Sequence, residues 1–196
     1  MILLAAALGS GASAAGFSAE TRYASAAGPD AWGSLDVRAT AASGVHTGAL
    51  VLGGTRSAVL GTFGGSFAPG PLTVDLTASA GMMRTTVDRV GGPTGGVGAE
   101  VGFDRGLPVS LGGGYLFGIG FWAEGGVDPA LGDRVALLPR LRLDTWSGER
   151  DPALRAGIGV QWTHRDGAFV AVSASAGGRD VVHLGPGFTL SFGRMP

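Results

Sequence analysis

Stretches of two-residue alternation recur along almost the whole chain. The clearest covers residues 72–82, where Leu72, Val74, Leu76, Ala78, Ala80 and Met82 hold one phase and Thr73, Asp75, Thr77 and Ser79 the other. Successive side chains of a strand point to opposite faces, so this pattern predicts a strand with one oily and one polar side. Residues 33–41 repeat it, with Leu35, Val37, Ala39 and Ala41 against Ser34, Asp36, Arg38 and Thr40. Further alternating stretches are 97–103, 109–123, 135–145, 154–162, 168–176 and 181–192. Residues 47–60 also read as β, but both faces are apolar around Leu50-Val51-Leu52, which leaves their phase open. Residues 17–24 add a weaker alternation, Ser18, Glu20 and Arg22 opposite Phe17, Ala19, Thr21 and Tyr23. Loops or turns are expected at 28–30, 43–44, 63–71, 84–96, 104–106, 128–133, 147–152 and 165–167, mostly on glycine, proline and aspartate signals. The count is nine strands, or ten with residues 17–24. No helical period, linker or fixed repeat interrupts them, so one all-β domain is expected.

The last stretch carries more than alternation. Val182, Leu184, Phe188, Leu190 and Phe192 share one face, and His183, Gly185, Gly187, Thr189 and Ser191 the other. Within it, Gly187, Phe188, Leu190 and Phe192 resemble the closing-strand signal of bacterial outer-membrane β-barrels: a glycine, then apolar residues, then an aromatic near the C-terminus. The resemblance implies a closed antiparallel transmembrane β-barrel in the outer membrane of a Gram-negative bacterium. Its partners would be membrane lipid and, through the last strand, the barrel-assembly machinery. Bacterial single-chain barrels have even strand numbers, so 8–10 strands are expected and counting favours ten.

At the other end, the apolar run of residues 1–8 is followed by Ala12-Ser13-Ala14, a small-residue cleavage site. This resembles a secretory signal peptide, which assigns 1–14 to the signal and 15–196 to a single barrel domain.

Alternation alone does not say which face points inward. A soluble barrel or sandwich buries the oily face, whereas a membrane barrel turns it to lipid. The polar phase here is rich in glycine and small residues and carries charges of both signs, as a narrow, filled lumen requires. Aromatics recur near strand ends at Trp32, Phe103, Trp146, Trp162, Phe188 and Phe192, which suits a membrane interface. Both features favour the membrane.

Composition narrows the chemistry. A net charge of −1 gives no electrostatic reason to expect a nucleic-acid partner. With 15% charged and 45% hydrophobic residues, disorder from excess charge is excluded. The 38 glycines follow no triplet period, which excludes collagen. Cysteine is absent, so there is no disulfide framework and no thiolate ligand or nucleophile. No apolar run long enough for a spanning helix follows the N-terminal segment. The three histidines, His46, His164 and His183, lack chelating spacing and have no serine two residues away, so they read as interface or loop residues. Residues 91–96 form a glycine-rich run without the Lys-Ser/Thr ending of a phosphate loop. No metal, cofactor or catalytic residue is expected.

The polar faces place Asp36, Asp75, Glu100 and Asp144 with Arg38, Arg140, Arg142 and Arg155. Buried charges must pair, so these eight are expected to form a luminal charge network. The leading functional expectation is a structural or interaction barrel whose loops, such as 84–96, meet an unidentified partner. One alternative is a narrow pore for small polar solutes, constricted at Arg140 and Arg142. Another is a secreted soluble barrel that binds an apolar ligand.

Overall fold

The computed structural model of the chain describes residues 14–25, 31–85, 91–145, 152–179 and 184–194. The strands are β1 (Ala14–Ala24), β2 (Trp32–Ala41), β3 (Val45–Gly53), β4 (Arg56–Phe67), β5 (Leu72–Thr85), β6 (Gly91–Phe103) and β7 (Val109–Leu116). They continue with β8 (Gly120–Val127), β9 (Val135–Leu137), β10 (Arg140–Asp144), β11 (Ala153–Thr163), β12 (Ala168–Gly178) and β13 (Gly185–Arg194). Sequential neighbours pair antiparallel from β1 to β8 and from β10 to β13, and β9 pairs with β11. β13 pairs with β1 (Phe192 opposite Ala19), and β10 bridges β8 and β11, so the sheet closes on itself.

The thirteen segments make a wall of twelve strands. β9 and β10 are one strand interrupted: Leu137 lies opposite Val160 and Arg140 opposite Gly157, in one continuous register. Between them Leu138 exchanges two backbone hydrogen bonds with Gly159, at 2.9 and 3.0 Å. Pro139 has no N–H to donate, and the ladder breaks there.

Twelve corrects the expected ten, because two of the stretches read as single strands are hairpins. Residues 47–60 span β3, a turn at Gly54, where φ is +151°, and the start of β4. Residues 109–123 span β7, the turn 117–119 and the start of β8, with Gly118 at φ +73°. Two expected loops are mostly strand. β4 runs on to Phe67, and the glycine-rich 91–96 opens β6. There the missing side chains let strands approach closely: a Cβ on Gly95 would lie 2.6 Å from the Ser79 carbonyl, and one on Gly96 2.4 Å from that of Tyr115. The expected signal segment lies outside the described residues, except that Ala14 opens β1.

The oily phase faces out. Leu76 (49% exposed), Met82, Val97, Leu111, Ile158 and Phe188 stand exposed on the outer wall. Aromatics mark both rims of that wall. Phe17, Phe67, Phe103, Trp162 and Phe192 lie toward the end that carries both strand termini, and Tyr23, Tyr115, Phe117 and Phe188 toward the other. An apolar band between aromatic girdles is the exterior of a membrane barrel, and closure leaves no unpaired edge for lipid to meet.

The main cluster of buried apolar residues sits inside the barrel. Leu52, Ala58, Leu60, Leu116 and Ile119 pack with Ala24 and Trp32 at the end away from the termini, and Leu50, Met83 and Trp122 lean on them. This explains the doubly apolar Leu50-Val51-Leu52: Leu50 and Leu52 join the luminal cluster, while Val51 is on the outer wall.

Candidate functional site

The polar phase lines the lumen, which encloses a cavity of about 470 Å³. Its walls include charged side chains and many Gly, Ala, Ser and Thr residues, such as Thr77 and Ser79 of β5, Gly112 of β7 and Ser173 of β12. Small residues keep the space open; the charged ones divide it.

One charge chain crosses the barrel. Arg22 of β1 forms a two-pronged pair with Glu124 of β8, a strand on the far side of the wall, and also holds Glu20. Arg142 of β10 donates to the same Glu124 carboxylate at 3.1 Å and to Asp144 at 3.0 Å. The Arg142 guanidinium carbon lies 5.4 Å from the ring centroids of both Trp32 and Trp122. This is cation–π distance on two sides, at the border between the charged section and the apolar cluster. Planar guanidinium suits such a place, since it can stack and donate at once.

A second group centres on Asp75 of β5. It accepts from Arg38 (3.3 Å), Ser66 (2.5 Å) and Thr77 (3.1 Å), and His46 Nδ1 stands 3.5 Å away. His46 is 1% exposed, which corrects its reading as an interface or loop residue. It fits because Gly64 lies against it; a Cβ there would be 2.3 Å from Nε2. Its Nε2 is 3.2 Å from the Thr77 hydroxyl, so Asp75, His46 and Thr77 stand in the order of a carboxylate–imidazole–hydroxyl relay. The Thr77 hydroxyl is committed to Asp75, and the ring is walled off by Gly64, so the arrangement reads as structural. Among the described residues no group of His, Asp and Glu could hold a metal ion.

A closed barrel with an oily exterior, aromatic rims and a charged lumen has known counterparts. The KdgM porin superposes with a TM-score of 0.61 at 10% identity, over 91% of this chain and 99% of that one. The NanC porin gives 0.61 at 10% identity, over 91% and 100%. The translocator domain of the autotransporter NalP from Neisseria meningitidis gives 0.54 at 12%, over 100% and 93%. The fold is that of bacterial outer-membrane β-barrels. No protein-family model and no curated protein sequence matches the chain.

All eight charges expected in the lumen face inward. Asp36, Arg38, Asp75, Glu100, Arg140, Arg142 and Arg155 border the cavity, and Asp144 is fully buried against Arg142. They do not form a single network. Arg38 and Asp75 belong to the second group, and Arg142 and Asp144 to the first. Arg140 pairs with Asp128 at 2.5 Å, and Arg155 donates to the carbonyls of Ser25 and Gly185 at 2.9 and 3.3 Å. Glu124, the hub of the crossing chain, lies just past the alternation of residues 109–123, so reading that stretch as one strand leaves it out. Glu20 and Arg22 share the polar face of residues 17–24, whose alternation is too short to single them out. Trp32, expected at the interface, is 5% exposed and luminal. In the closing strand, Phe188 and Phe192 stand on the outer wall, Phe192 with its ring 6.4 Å from that of Phe17 on β1.

Proposed function

We propose that the chain is a narrow pore of the outer membrane that passes small polar solutes. The observation that carries this reading is the cavity of about 470 Å³, bordered by charged and small polar side chains where a structural barrel needs only a packed core. Charges kept in water-lined pairs cost less than the same charges in a dry interior. The KdgM and NanC porins, similar in fold over nearly their whole length, support it. The constriction is at Arg142, between Trp32 and Trp122, rather than at Arg140, whose guanidinium is drawn to Asp128 and two carbonyls. The barrel-assembly machinery would receive the chain through β13, where Phe188 and Phe192 face outward.

The apolar cluster at one mouth favours a second reading, a plugged barrel with a structural or interaction role. Purified protein in planar bilayers separates the two. Steady single-channel openings are expected of the pore, and sustained silence after verified insertion would favour the plugged barrel.

A further inference from the structure

The luminal arginines are all held. Arg22 and Arg142 are enclosed by Glu20, Glu124 and Asp144, three carboxylates for two guanidinium groups. Arg38 is on Asp75 and Arg140 on Asp128. Arg155, which has no ion pair among the described residues, donates to two backbone carbonyls.

The carboxylates are not matched in the same way. Asp36 on β2 and Glu100 on β6 both border the cavity, and neither has an ion pair among the described residues. Asp36 Oδ1 is shielded from solvent and has no hydrogen-bond partner. Register sharpens the imbalance. Glu20 lies directly opposite Asp36 on β1 and β2, and Asp75 directly opposite Glu100 on β5 and β6. Like charges facing each other across a strand pair repel. With Glu20 held by Arg22 and Asp75 by Arg38, the charges left over are those of Asp36 and Glu100, and their field favours a passing cation over a passing anion.

We infer that the lumen selects small cations over small anions, and that Asp36 and Glu100 set the preference. This rests on the pore reading. A unit charge ~6 Å from a permeating ion in water changes that ion's energy by an amount equivalent to about threefold in occupancy. Reversal potentials in a potassium chloride gradient across planar bilayers test the inference. The unaltered chain should favour potassium. Asp36→Asn and Glu100→Gln should each lower the potassium-to-chloride permeability ratio by about tenfold, because the lost charge shifts potassium about threefold one way and chloride about threefold the other, with channel openings preserved. Absence of any channel from the inserted protein would overturn the pore reading and this inference with it. Steady openings with a chloride preference, or a ratio unmoved by both substitutions, would overturn the inference alone.

Discussion

Truncating two leucines tests the inside and outside of this barrel against each other. Leu60 is 0% exposed and packs in the luminal cluster; Leu76 is 49% exposed on the outer wall. In lipid, a shortened Leu76 is replaced by acyl chain, so Leu76→Ala should cost well under ~1 kcal/mol beyond its lost contacts. Leu60→Ala leaves a hole between protein side chains, and large-to-small changes of this kind cost about 2–5 kcal/mol. Leu76→Arg provides the complementary value. Leu76 is about two and a half residues from the middle of β5, roughly 6 Å in height for a tilted strand, and still inside the apolar band. Arginine there should cost about 2 kcal/mol. Reversible denaturant unfolding from lipid vesicles measures all three. Leu76→Ala as damaging as Leu60→Ala would place Leu76 in a protein core and refute the assignment of faces.

Two further outcomes follow from the site and its rim. Glu124→Gln removes the charge shared by Arg22 and Arg142, whose side chains are 21% and 10% exposed. The lumen is partly wet, so the same unfolding assay should show a loss of about 2 kcal/mol rather than the larger cost of breaking a dry pair; an unchanged stability would mean the crossing chain contributes nothing. At the rim turn, Asp166 accepts a hydrogen bond from His164 (2.7 Å) and another from the Ala168 N–H (3.1 Å), and these hold its carboxyl below the usual aspartate range. A depressed folded value means that the turn's stabilisation is present above the ordinary carboxylate range and is lost as pH falls through the folded value. Carboxyl-carbon NMR in detergent should show Asp166 titrating below a free aspartate, and a normal or raised midpoint would contradict the turn geometry.

The alternation of residues 72–82 stated the faces of β5 in full, because one side met lipid and the other small polar neighbours. The two hidden hairpins were illegible for a geometric reason. In β3 and β4 the even-numbered residues face inward on both strands, as in Leu52 opposite Ala58, and the same holds for β7 and β8, as in Gly114 opposite Trp122. A short turn that conserves the phase leaves a two-residue period unbroken, so one long strand and two short ones look alike. The turn at 104–106 was visible only because Asp-Arg-Gly announced it. Luminal charges were legible one by one from their phase. Their pairing was not, since Arg22 and Glu124 are 102 residues apart and meet only once the wall has closed.

On the pore reading, the polar face of β5 lines a water-filled path for solutes. The chain has no cysteine, so single cysteines can be placed along β5 without a background. A water-soluble thiosulfonate applied while channel current is recorded reads each position directly. Cysteines at Thr77 and Ser79, which border the cavity, should react and reduce the current stepwise, while those at Ala78 and Ala80 should stay inert. Current block from Ala78 and Ala80 with Thr77 and Ser79 silent, or a current indifferent to all four, would contradict a luminal path along β5.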